Sequence, residues 1–255
     1  LAPEQRWRAL TPETVLHVVA DSSLASVPFA ALVRDGRRWI EQTAIAFAPN
    51  VAVLARLRHA ASSDGTRVVL GDPTNDLQGA REEAAASART LGVSAHLGRA
   101  ASIAALRSAA HADVLTVAAH SEVTEAVVKL RLADGDVTPA EIIDQRIAPR
   151  LVVLASCSSA VTDVDAWGAF AGAFLAAGTR DVIASRWALH DRIATEFVAT
   201  FLRDGGVASP ALALASAQRR AIKQGIPVST WAALGAFGVG TEGTQTTKER
   251  LASNE

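Results

Sequence analysis

Arg150 to Gly178 reads RLVVLASCSSAVTDVDAWGAFAGAFLAAG, and two periodicities meet in it. Leu151 to Leu154 form an unbroken apolar run with Val152 and Val153 at its centre. This is the pattern of a strand covered on both faces in the middle of a mostly parallel sheet. From Trp167 the period changes: Trp167, Phe170, Ala171, Phe174 and Leu175 fall at i, i+3, i+4, i+7 and i+8. That is one stripe of a helix that Gly178 can close. Between strand and helix stands Cys157, the only cysteine of the chain. A thiol placed where a central strand gives out lies at the edge of an open α/β sheet where ligands bind.

Working outward towards the N-terminus, Asp113 to Ala119 reads as the next strand, followed by His120, and Arg67 to Leu70 as another, closed by Gly71-Asp72-Pro73. Between them lie an alanine-rich helix, Gly79 to Leu91, and a second helix, Ser102 to Ala110, opened by a serine cap. Earlier still, Thr14 to Ala20 reads as a strand, Asp35-Gly36 as a hairpin turn, and Asn50 as the cap of a helix with the stripe Val51, Leu54, Leu57 and Ala61. After His120 comes a polar stretch, then Thr138-Pro139, a cap and first-turn proline. Towards the C-terminus, Thr179 to Ser185 is a strand. Asp191 opens a helix with the stripe Ile193, Phe197 and Phe201, and Ser209-Pro210 opens another. Strands alternating with helices predict parallel βαβ units, hence one α/β domain with helices on both faces of a mostly parallel sheet. Residues 14–239 form that domain, 1–13 read as a lead-in, and 240–255 as a polar flexible tail.

A chain of 255 residues, 49% apolar, can fill a core of this kind. The net charge is −1 and no long basic run occurs, so neither nucleic acid nor a membrane surface is favoured as a partner. The longest apolar run, around Trp167 to Gly178, is too short to span a bilayer, and the first residues lack a signal-peptide pattern. A single cysteine makes no internal disulfide, which predicts a reducing, cytoplasmic setting. The absence of methionine and the start at Leu1 predict a piece of a longer polypeptide.

Paired cysteines, H-E-x-x-H and G-x-x-x-x-G-K-[ST] are all missing, so no metal and no cofactor is expected. Gly238 to Gly243, GVGTEG, matches G-x-G-x-x-G by letter, but no helix or βαβ unit follows it to hold a dinucleotide. A lone cysteine is by default a small buried hydrophobe. Position argues otherwise here, because His120 and Cys157 each follow an apolar strand. If those strands are parallel neighbours, both side chains emerge at one edge. A thiol there can attack a carbonyl while the imidazole takes its proton and returns it to a leaving amine. Of the other histidines, His17 lies within an apolar run and reads as a packed residue. His59, His96, His111 and His190 are not placed behind a strand in this way.

Eight pieces in order resemble the CHAT domain, a caspase-like module often fused to tetratricopeptide repeats and related in fold to caspases, separases and gingipains. They are VLHVVADSSLASVPFAAL, VVLGDPTNDLQGAREEAAA, DVLTVAAH, LRLADGDVTPAEI, LVVLASCSSA, AFLAAGTRDVIASRWALHD, ALASAQRRAI and WAALGAFG. The resemblance covers nearly the whole chain. It implies a caspase–haemoglobinase-like sheet and a cysteine peptidase with His120 and Cys157 as its dyad, the backbone N–H groups of Ser121 and Cys157 forming the oxyanion hole. It also implies a protein substrate and a regulatory repeat domain outside this segment.

Two positions depart from the family pattern. Glycine usually follows the histidine, where this chain has Ser121; a position requiring φ > 0 would strain serine and misalign the hole. Ala155-Ser156 stands where Ser-Ala usually precedes the cysteine. In separase-like relatives the segment matching Arg186 to Asp191 lines the pocket for the residue before the scissile bond. Asp191 there implies selection of Arg or Lys, against its simpler reading as a helix cap. Arg186 keeps a preference for acidic substrates open, and Trp187 is either a pocket wall or core. Glu122, Glu125, Asp163 and Asp165 read as solvated loop charges. The alternative function is a catalytically silent CHAT module that works as a scaffold or protein-binding domain.

Overall fold

The computed structural model describes residues 4–19, 24, 27–59, 63–124, 127–154, 169–187 and 191–240, without the side chains of 5, 6, 122–124, 127, 169 and 191–194. Its strands in chain order are β1 (Val15–Val18), β2 (Val33–Arg34), β3 (Arg37–Arg38), β4 (Ala44–Phe47), β5 (Arg67–Gly71), β6 (His96–Leu97) and β7 (Val114–Ala118). They continue with β8 (Ser121–Thr124), β9 (Val127–Leu132), β10 (Gly135–Val137), β11 (Leu151–Leu154), β12 (Asp181–Ser185) and β13 (Leu234–Gly238). Eight of them form one sheet in the order β1-β4-β13-β12-β11-β7-β5-β6.

The sheet is mostly parallel, as expected, and consists of two parallel blocks. β12, β11, β7, β5 and β6 run one way. β1, β4 and β13 run together in the opposite direction, and the blocks meet where β12 pairs antiparallel with β13. Burial follows the two-residue period of a sheet covered on both sides. Leu115, Val117, Val152 and Leu154 enter one core with Leu54, Leu106, Ile142, Phe174 and Leu175. Val114, Ala118, Leu151 and Val153 enter the other with Ala80, Ala84, Val198, Phe201 and Leu214. Helices Val51–Leu57, Ile103–Ser108, Pro139–Asp144 and Ala169–Ala177 thus cover one face. Gln78–Leu91, Asp191–Phe201 and Pro210–Lys223 cover the other.

Local signals set the element boundaries. The Asn50 side chain accepts from the Val53 N–H at 2.8 Å, and Thr138 and Glu141 form a reciprocal capping box below Pro139. Three features differ from the sequence reading. Ordered structure begins before Thr14: Glu4–Arg8 is a helix whose Trp7 is buried with its ring 4.6 Å from that of Trp39. The stretch after His120 is not merely polar loop, because β8, β9 and β10 form a small antiparallel sheet. Its signal is the alternation Val128, Leu130, Leu132 followed by the Asp134-Gly135 turn. Gly240, the first residue of the expected tail, is buried, and the rest of that stretch, 241–255, lies outside the described residues.

Gly240 is held at the edge where β12 begins. Its N–H donates to Asp181 Oδ1 at 2.5 Å, its carbonyl accepts from Ala211 at 3.0 Å, and His17 Nε2 donates to the Val239 carbonyl at 3.0 Å. Gly238, at φ +115°, passes so near the backbone of Arg180 that a Cβ would sit 2.1 Å from its carbonyl oxygen. Two glycines of the GVGTEG match therefore serve this chain crossing, and His17 is a packed residue as its place in β1 predicts. Among the described residues no helix is long and apolar enough to cross a membrane.

Candidate active site

The C-terminal ends of β5, β7, β11 and β12 come out along the opposite edge. β7 and β11 are parallel neighbours, with Leu151 beside Val114 and Val153 beside Thr116. His120 stands two residues beyond β7 on a fixed backbone: its carbonyl accepts from the Arg131 N–H at 3.0 Å, and β8 starts at once with Ser121 opposite Leu130. The imidazole is half-exposed, and its Nε2 lies 3.9 Å from a carboxylate oxygen of Asp76.

Ser121 is buried and its hydroxyl has no hydrogen-bond partner among the described residues. Its backbone is not among the positive-φ positions, which outside glycine and among the described residues are Asp35, Asp72, Asn75 and Arg146. Serine is therefore unstrained at this position.

Asp76 belongs to a loop whose construction the sequence only hinted at through Gly71-Asp72-Pro73. Asp72 is 1% exposed and turns the chain at φ +46°. Its N–H continues the sheet ladder to the Ala118 carbonyl at 2.9 Å. Its carboxylate accepts from the Leu77 N–H at 2.9 Å and from Arg81 Nε at 2.8 Å. Arg81 Nη2 also donates to Asn75 Oδ1 at 2.8 Å, and the Thr74 hydroxyl donates to Asp76. A buried, doubly bonded carboxylate has no room for substrate; Asp72 is the strut that shapes the loop.

On the other side of the edge, Arg186 folds inward. Its N–H donates to the Ala233 carbonyl at 2.7 Å, its Nη2 donates to Val27 O at 2.8 Å, and its guanidinium lies 4.7 Å from the Phe47 ring centroid. A Cβ at Gly235 would crowd the Phe237 ring at 3.1 Å and meet the arginine Cδ only at ordinary contact distance, 3.5 Å. Burial pushes the guanidinium down to about 10. Trp187 is half-buried, packs on the second core, and donates its indole N–H to the Ser229 carbonyl at 2.7 Å. Asp191 begins the helix Asp191–Phe201. Cys157, the side chains of Asp191 and Glu122, and Glu125, Asp163 and Asp165 lie outside the described residues. The edge thus brings together His120, Ser121 and Asp76. Arg186 and Trp187 stand beside it, across the position of β11.

The fold is shared with solved structures at low sequence identity. The separase–securin complex of Saccharomyces cerevisiae superposes with a TM-score of 0.60 at 15% identity, over 88% of this chain and 15% of the separase-complex chain. The Arg-specific cysteine proteinase gingipain R superposes with a TM-score of 0.58 at 11% identity, over 85% of this chain and 58% of the gingipain chain. This chain therefore spans less than two thirds of either, and only a small part of the first. No curated protein matches it in sequence. The profile of the CHAT domain matches residues 1–239, nearly the whole described length. With a caspase-like α/β sheet under that match, the chain belongs to the CHAT domain family.

Proposed function

We propose that this domain is a cysteine endopeptidase that cleaves a partner protein after a basic residue, with His120 and Cys157 as its dyad. One observation carries the reading. β7 and β11 pair at a constant offset of 37 positions, as in Leu151 beside Val114, and Cys157 follows His120 in the sequence by the same 37. Matching sequence steps beyond adjacent parallel strands are what a dyad delivered to one sheet edge requires.

The chemistry is acyl transfer. The Cys157 thiol passes its proton to the imidazole, and its sulfur attacks the carbonyl carbon of the scissile peptide. The resulting oxyanion is held by the backbone N–H groups of Ser121 and Cys157, and the ordinary φ of Ser121 carries no strain that would oppose this. The imidazolium then protonates the departing amine as the C–N bond breaks. Water, deprotonated by the same imidazole, hydrolyses the thioester and returns the thiol.

Asp191 is the residue assigned to selecting Arg or Lys, through a charge-assisted contact. Arginine specificity in the structurally similar gingipain R agrees with this assignment. Arg186 is committed to Val27 and Phe47, which favours Asp191 over it as the selector and leaves Trp187 as a wall of the pocket. The separase neighbour is complexed with a protein, securin, and a protein substrate or regulator of this domain fits that precedent. A reducing, cytoplasmic setting and regulatory repeats outside this segment complete the reading.

The test is labelling with peptidyl electrophiles bearing Arg, Lys or Asp next to the warhead, on the parent, Cys157→Ala and Asp191→Asn. Arg-directed labelling that disappears with Cys157→Ala and weakens with Asp191→Asn is the expected result. Asp-directed labelling overturns the basic preference. Absence of all labelling in a folded parent favours the silent scaffold.

A further inference from the structure

We propose that Asp76 is a positioning residue for His120, holding the imidazole through Nε2 and leaving Nδ1 as the nitrogen that exchanges protons in the reaction. The inference deepens the peptidase reading and rests on it for its kinetic consequences. The contact itself lies wholly within described residues: Asp76 Oδ1 stands 3.9 Å from His120 Nε2.

That carboxylate does not reach the imidazole by the chance sweep of a surface side chain. It is carried on a turn built from a buried aspartate and two left-handed non-glycine residues, Asp72 at φ +46° and Asn75 at φ +60°. Such backbone is sparsely populated and persists where its surroundings over-determine it. Here they do. Arg81 ties Asp72 to Asn75, the Asn75 N–H donates to the Asp72 carbonyl at 3.2 Å, and the Thr74 hydroxyl fixes the Asp76 carboxylate itself. The opposite wall is equally fixed, because Asp72 and His120 extend neighbouring strands whose register sets Gly71 beside Ala118.

At 3.9 Å the pair acts by charge more than by a formed hydrogen bond. An oriented base with a carboxylate behind it commonly tightens when the imidazole takes up a proton. A carboxylate at Nε2 favours the neutral tautomer with its proton there, so that Nδ1 carries the lone pair. Both partners meet water, Asp76 being 64% exposed, which limits the effect to that of an exposed ion pair.

The experiment uses the full chain with Asp76→Asn, Asp76→Glu, Asp76→Ala and His120→Ala. On a fluorogenic peptide ending in arginine, Asp76→Asn is expected to lower kcat roughly fivefold with KM within about twofold, the scale of an exposed charge pair. Asp76→Glu should restore most of the loss, and melting temperatures should stay at the parent value. Long-range 1H–15N spectra of His120 at pH 8.5 give a readout that needs no turnover. The parent should carry its proton on Nε2, and Asp76→Ala should shift towards a mixture of tautomers. If kcat is unaltered by Asp76→Asn while His120→Ala is inactive, the peptidase reading stands and the positioning role is wrong. If the parent hydrolyses no peptide, the peptidase reading fails and the spectra alone decide. Identical His120 spectra in parent and Asp76→Ala overturn the proposal, and the tautomer shift upholds it.

Discussion

At the edge where β7 ends, His120 is half-exposed and Asp76 faces it 3.9 Å away across solvent-accessible space. At the opposite edge, where β12 begins, Asp181 is 2% exposed and grips the backbone of Gly240. Desolvation dominates at the second edge. It pushes Asp181 up to about 6 against the hydrogen bond from Gly240 and the charges of Arg180 and Arg150, and it pushes His17 down. Perturbed ionisation often marks functional sites, but here it does not sort the two edges, because burial displaces Asp181 at the clamp and Arg186 beside the open edge alike. The edge suited to chemistry keeps its histidine in reach of water and substrate, on a backbone fixed from both sides. Access and fixed geometry, more than the size of a shift, separate the two edges.

The comparison implies that mutations at the two edges move different observables. The largest effect belongs to His120→Ala, which should lower turnover by roughly 10²–10⁴-fold at an unchanged melting temperature. Turnover close to that of the parent would remove His120 from the mechanism. Next comes Gly238→Ala at the clamp. Its Cβ would lie 2.1 Å from the Arg180 carbonyl oxygen at φ +115°, and the forced backbone shift should cost more than about 3 kcal/mol. Denaturant unfolding measures it, and the surviving folded fraction should keep its specific activity. A stable Gly238→Ala protein with impaired kinetics would mean that the two edges are not independent.

The parallel block was legible in sequence because its strands are buried on both faces. Leu151 to Leu154 is apolar without interruption and Val114 to Ala118 is broken only by Thr116, and the residues following them mark the edge. The antiparallel junction was not legible. Leu234 to Gly238 contains two glycines and an alanine, small residues that pack under neighbours and carry little β signal. Nor did Ala44 to Phe47 read as a strand beyond the hairpin before it. His120 followed from its place behind a strand. Asp76 did not, because what brings it to His120 is a pair of left-handed turns held by Arg81, a long-range device with no periodicity. The fold of Arg186 onto Phe47 was equally hidden, since its partners, the Val27 carbonyl and the Phe47 ring, are distant in sequence.

The third effect is a pH dependence at the clamp. Asp181 titrates near 6 in the folded chain against 3.8 for an ordinary aspartate. Between those values the native state binds more protons than the unfolded state, so this contribution to stability is greatest below pH 4 and is lost as pH rises through 6. The displacement corresponds to roughly 2 to 3 kcal/mol. His17 works the other way: burial lowers it, so its contribution is present above its unfolded value and is lost as pH falls. Asp181→Asn keeps an acceptor for the Gly240 N–H and removes the titration. Parent and Asp181→Asn should therefore diverge in unfolding free energy between pH 4 and 7, the parent losing ground as pH rises. Parallel curves would show that Asp181 is ionised throughout and that its charge is compensated by Arg180 and Arg150.

The smallest effect should come from Ser121→Gly, and it bears on the open edge most directly. Glycine at this position helps only if the peptide must adopt φ > 0 to aim its N–H at the oxyanion. Ser121 is at ordinary φ and its N–H belongs to a residue anchored by the pairing of β8 with β9. On the proposed mechanism the donor gains nothing from glycine, and kcat/KM of Ser121→Gly should stay within about twofold of the parent, well under the effect of losing an oxyanion donor. Removing the hydroxyl also removes a buried group without a described partner. Ser121→Ala, which keeps the Cβ, should accordingly gain up to about 1 kcal/mol in stability. A tenfold rise in kcat with glycine would mean that serine holds the site in a misaligned state, and would bring the edge closer to the clamp in character, rigid before it is reactive.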